Sequence, residues 1–181
     1  MNYISYQDAE RLFEVWPMLQ RIKQSTATEL QLLETTSIDE WVYTLSIGNK
    51  SLDGLPHQKS STSSTERVAM NYKDFIDKNI IESREDIKIE IVLLYLVDEK
   101  LKIAYDGLTQ LQQKILKLFY WQKKTWAEIL SQLADEEEYI SKHQAQTQRK
   151  EAIQKIAITS RITEKVYTDV MKIIDRGVGK K

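Results

Sequence analysis

The chain has 181 residues, of which 41% are apolar and 29% charged, with five glycines, two prolines and no cysteine. This is enough apolar material for the core of one ordinary domain or two small ones, and too little turn material for an all-β chain. Without cysteine, disulfides and thiolate metal sites are excluded; no stretch reads as a membrane span and the N-terminus lacks the order of a signal peptide, so a cytoplasmic protein is expected.

Residues 8–23 have the spacing of an amphipathic helix, with Leu12, Val15, Trp16, Leu19 and Ile22 on one side and Pro17 predicting a kink or restart. A second helix is expected over 26–35. Ser37-Ile-Asp-Glu40 is a capping box opening a third, which Gly48 is placed to end. Trp16 and Trp41 read as core aromatics. From Gly48 to Thr65 the pattern dissolves into a Gly-, Pro- and Ser/Thr-rich loop, in which His57 has no companion ligands.

Ser63-Ser-Thr-Glu66 is a further box, and a long helical tract follows to Asp106. Val68, Tyr72 and Phe75 form a first seam. Ile87, Ile91, Leu94, Leu101, Tyr105 and Leu108 form a second at heptad-like spacing, which Asp98 breaks. Asn79 and the 82–86 run suggest a bend between them. A homodimer seam is one reading of this tract, although the repeat is short and irregular for a coiled coil. A spacer helix packed on the N-terminal helices is the other.

Residues 108–157 carry the densest signals. Leu108, Leu111, Ile115, Leu118 and Phe119 make one apolar stripe, closed by Lys123-Lys124. Thr125-Trp-Ala-Glu128 is a capping box for a short helix whose inner side is Trp126, Ile129, Leu130 and Leu133. Ser141-Lys-His-Gln144 is another, with Ile140 and Ala145 as its staple. Two marked starts, the first opening a helix of barely two turns, are the local grammar of a helix-turn-helix. In the second helix Ala145, Ala152, Ile153 and Ile156 fall on one side. His143, Gln146, Thr147 and Lys150 fall on the other, flanked by Lys142 and Arg149. That outer set suits base edges and phosphates, and equally suits a solvated face; the pattern leaves both open. Asp135 to Glu138 read as a solvated acidic loop. A last helix over 163–176 places Val166, Val170, Ile173 and Ile174 inward, with Gly177 as its stop.

The charge is uneven: residues 141–181 hold ten Lys or Arg against four Asp or Glu, a net of +6, while those before hold 16 against 23, a net of −7. A basic end on an acidic body fits a polyanion partner. No phosphate-cradling glycine loop, zinc-protease motif or nucleophile elbow is present, so no catalytic residue, metal or cofactor is expected and the chain reads as a non-enzyme.

Leu118-Phe-Tyr120, Trp126-Ala-Glu-Ile129 and Arg149-Lys-Glu-Ala-Ile153, in that order, resemble region 4 of sigma-70-type factors. More narrowly they resemble the sigma-like regulators of phages and prophages of Gram-positive bacteria, of the ArpU and RinA type. The likeness covers about fifty residues. It departs at Ala134–Ile140, which is longer than the family's usual turn. The resemblance implies an all-α chain with an N-terminal helical region and loop (1–60), a long connecting helix (61–106), a sigma region 4-like helix-turn-helix (107–160) and a C-terminal helix with a basic tail (161–181). It implies a transcriptional regulator that binds double-stranded DNA and touches RNA polymerase. Lys142, His143, Gln146, Thr147 and Lys150 would meet the major groove; Arg149, Lys123, Lys124 and the helix start at Thr125 would hold phosphates. The alternative is a helical interaction module whose helix-turn-helix does not contact DNA.

Overall fold

The structure is a computed structural model that describes the backbone of residues 2–35 and 62–179 and the side chains of 2–35 and 81–177. The expected helix after Ser37, Trp41, the Gly48 stop and His57 lie outside the described residues, as do the side chains of the first seam at Val68, Tyr72 and Phe75. The protein is all-α, with six α-helices among the described residues: α1 (Tyr6–Thr35), α2 (Thr62–Asp106), α3 (Gln110–Leu116), α4 (Trp126–Ala134), α5 (Lys142–Ser160) and α6 (Glu164–Gly179). No described helix is long and apolar enough to cross a membrane.

Packing divides these residues into two units, one formed up to Gln24 and from Glu90 onward, the other between Ser25 and Ile89. In the Ser25–Ile89 unit, the Arg84 guanidinium donates to the Leu33 carbonyl, with Nε at 2.9 Å.

The first unit has one main core. Leu12, Phe13, Trp16 and Leu19 of α1 meet Leu94, Val97 and Leu101 of α2, Leu116 of α3, Ile153 and Ile156 of α5, and Val170 and Ile174 of α6. A second cluster, Ile115, Leu118, Ile129, Leu133 and Ala145, ties α3, α4 and α5 together. Burial of such side chains stabilises by about 1.5–3 kcal/mol each.

Several elements differ from their sequence reading, each for a visible reason. α1 runs unbroken through Pro17, where two helices with a kink were expected. Proline at that position leaves the Phe13 carbonyl without its intrahelical donor, and the Trp121 indole N–H supplies one at 3.2 Å. α2 is continuous from Thr62, so it has no break near Asn79 and the Ser63 box lies inside it.

Asp98 anchors the α2 seam instead of breaking it. Its buried carboxylate accepts from the Trp16 indole at 2.8 Å, from Gln20, and from Lys23 at 2.5 Å, all on α1. Three donors offset the cost of burying a charge. Gly177 does not stop α6, which continues to Gly179. It gives room instead: a Cβ there would lie 3.0 Å from the Ile22 side chain.

Between α3 and α4 the chain makes a π-helical segment, Lys117–Trp121, with Gln122 N–H bonded to the Lys117 carbonyl at 3.1 Å. The wider turn directs Leu118 into the second cluster and Tyr120 into the first.

Candidate nucleic-acid interface

The capping boxes read from the sequence are formed at both helix starts. At α5, Gln144 N–H donates to Ser141 Oγ at 3.2 Å and Ser141 N–H to Gln144 Oε1 at 2.8 Å. At α4, Thr125 N–H and hydroxyl each donate to Glu128 at 2.7 Å. Those two bonds, the hydroxyl's first, hold the Glu128 carboxyl below its ordinary value. Thr109 and Gln112 form a third box at α3, unremarked in the sequence reading.

The acidic run is solvated, with Asp135 to Glu138 all exposed, and is an ordered turn. Glu138 N–H bonds to the Leu133 carbonyl at 2.9 Å and Glu137 N–H to Ala134 at 3.0 Å, the pairing of a helix-ending Schellman turn. Glu137 takes the left-handed position, φ 63°, that glycine usually fills. Glu136 pairs with Lys114 of α3. Among the described residues, no group of three or more His, Asp or Glu is placed to hold a metal.

On α5 the inner face is Ala145, Ala152, Ile153 and Ile156, all fully buried, as the periodicity expects. The nine site candidates then separate by what occupies them. Lys142, His143 and Lys150 are exposed and Gln146 is half-buried, and none of the four side chains has a hydrogen-bond or ion-pair partner among the described residues. They form one strip along the first three turns of α5. Thr147 shares that strip, but its hydroxyl donates to the His143 carbonyl at 3.0 Å.

The other candidates are engaged within the fold. Arg149 points inward: Nη1 lies 3.2 Å from Glu10 of α1, and the guanidinium sits 4.7 Å above the Phe119 ring and 5.8 Å from that of Tyr120. Only 19% of its side chain is exposed, so the guanidinium is engaged in packing within the fold. Lys123, in the left-handed conformation at φ 53°, pairs with Glu14, one turn beyond Glu10 on α1. Lys124 donates to Gln132 of α4. The Thr125 N–H is taken by Glu128.

Glu10 thus organises a node that no sequence spacing indicates. It accepts from the Tyr120 hydroxyl as well as from Arg149. Burial, then the bond to Glu10, pushes the Tyr120 phenol far above its ordinary value. Gln112 and Gln148 add an amide–amide bond of 3.1 Å between α3 and α5. Comparison of the chain with protein-family models, with curated proteins and with solved structures finds no match.

Proposed function

We propose that the chain is a DNA-binding transcriptional regulator of the phage or prophage kind, with α4 and α5 acting as a sigma region 4-like helix-turn-helix. One observation carries the reading: Lys142, His143, Gln146 and Lys150 form a strip of donors on the α5 outer face that is unpaired among the described residues, while Arg149, Lys124 and the Thr125 N–H are engaged inside the fold. A solvated face gathers polar groups of either sign, whereas Lys142, His143, Gln146, Thr147 and Lys150 include no carboxylate, which suits a phosphate-lined groove.

In this reading Gln146 and His143 meet base edges, and Lys142 and Lys150 meet phosphates. Lys123 remains available, since it is 64% exposed and a surface ion pair is worth little. Arg149 is withdrawn from the DNA set. The acidic part before Ser141 is the proposed surface for RNA polymerase. Exposed Val92, Leu96 and Ile103 on α2 favour the second reading, a helical interaction protein without DNA contact.

Titration of labelled duplex DNA over a series of salt concentrations separates the two. DNA binding predicts steep salt dependence, with Lys142→Ala and Lys150→Ala each reducing the slope by about one. Salt-insensitive binding, or variants identical to the parent, overturns the DNA reading.

A further inference from the structure

The outward strip of α5 does not stop at Lys150. The spacing that joins His143 to Lys150 continues through Gln154 to Ile158 and Arg161, the last of which turns the chain in a left-handed conformation at φ 48°. The N-terminal segment is strapped alongside this end. Ile4 N–H donates to the Ile162 carbonyl at 3.0 Å and Glu164 N–H to the Asn2 carbonyl at 3.1 Å, pairing Tyr3 with Thr163 antiparallel. The strap and the helix enclose an open groove of about 740 Å³ whose walls include Tyr3, Tyr6, Gln154, Ile158 and Arg161.

The lining has two characters. Tyr3 is 54% and Ile158 69% exposed, large apolar surfaces that the core does not use. Arg161 is exposed, and the side chains of Tyr3, Gln154 and Arg161 have no partner among the described residues. Lys100 Nζ, 2.9 Å from the Arg161 carbonyl, adds a second cation beside the rim.

We propose that this groove is a second DNA contact that takes the sugar–phosphate backbone flanking the site read by the first turns of α5; the inference rests on the DNA reading above. A DNA backbone alternates apolar deoxyribose faces with anionic phosphates, and the groove pairs Tyr3, Tyr6 and Ile158 for the first with Arg161, Gln154 and the Tyr3 hydroxyl for the second. The reach is suitable. Gln154 and Ile158 lie roughly 6–12 Å beyond Lys150 along the helix, within about one major-groove width. The N-terminal segment therefore widens the footprint of α5 instead of merely closing the core.

The test is hydroxyl-radical footprinting with affinity titration on duplexes selected by the full chain, for the parent, Arg161→Gln, Tyr3→Ala and Lys150→Ala. The proposal expects Arg161→Gln and Tyr3→Ala each to weaken binding about three- to tenfold and to lose sugar protection at one edge only. Arg161→Gln also lowers the salt slope by about one. Tyr3 is exposed, so its variant keeps the test valid if Arg161→Gln destabilises the turn. If both variants keep the full footprint while Lys150→Ala weakens binding, the groove proposal is overturned and the DNA reading stands. If Lys150→Ala also has no effect, the DNA reading itself falls. If Tyr3→Ala leaves the footprint intact and changes sedimentation, the groove holds another protein surface and the backbone assignment is overturned.

Discussion

Arg149 and Lys150 are neighbours in sequence and differ in everything else. A rotation of about 100° per residue carries Arg149 onto the Phe119 ring and the Glu10 carboxylate, and leaves Lys150 exposed with no partner among the described residues. The same division extends across the first unit. Polar groups facing α1, such as Asp98, Tyr120 and Arg149, are bonded to it, whereas the side chains of Lys142, His143, Gln146 and Lys150 on the outer strip of α5 have no partner among the described residues. The first set builds the fold, and the second is the surface that the DNA proposal uses.

The largest expected effect is at Asp98. Asp98→Ala leaves Lys23 and the Trp16 indole without their acceptor and should cost about 3 kcal/mol or more in a urea unfolding experiment. A loss under 1 kcal/mol would mean that the α1-facing polar groups are not structural. Arg149→Ala should cost about 2 kcal/mol through lost ring contact and an uncompensated Glu10. Lys150→Ala should stay within about 0.5 kcal/mol. Equal costs for these two neighbours would erase the distinction between them.

Trp121→Phe should cost about 1 kcal/mol by freeing the buried Phe13 carbonyl. In a Pro17→Ala background the cost should shrink, because the new N–H restores the helical bond, and a double-mutant cycle measures that coupling. Glu137→Gly should raise stability by about 1 kcal/mol, relieving a left-handed side chain at a helix end. Thermal melts suffice to check it.

A pH series sharpens the same comparison. Burial raises the phenols of Tyr6, Tyr105, Tyr120 and Tyr167 above the ordinary 10.0. A raised folded value gives stability that is complete below the unfolded value and lost as pH rises above it. Unfolding free energy should therefore fall above about pH 10, and less steeply in Tyr120→Phe. An unchanged slope would show that the Glu10 node does not hold this phenol neutral.

How far the sequence revealed this arrangement depended on whether a signal was local. The caps at Thr125 and Ser141 and the inner stripe of α5 are local, since partners lie within four residues, and they were legible. Arg149 was not, because its carboxylate is 139 positions away at Glu10 and a flank position on a helix wheel fits either face. Asp98 looked like a fault in an apolar seam because its donors sit on α1, 75 to 82 residues away.

Helix ends were obscured for a different reason. Lys123, Glu137 and Arg161 take left-handed conformations where glycine would have announced a stop, while Gly177 lies within a helix to admit Ile22. Pro17 suggested a kink because its compensating donor, Trp121, comes from beyond α3. The continuation of the α5 strip to Gln154 and Arg161 was present in the spacing, but the strap that places Tyr3 beside them is a tertiary contact.

The most direct test of the central claim is selection from a pool of random duplexes at moderate salt, with the parent chain and Gln146→Ala in parallel. The account predicts an enriched motif for the parent and lost preference at one or two positions in Gln146→Ala, and two-fold symmetry in the motif would report a dimer. The same motif retained by Gln146→Ala, or no enrichment by the parent, would contradict the assignment of the α5 outer face as the reading surface.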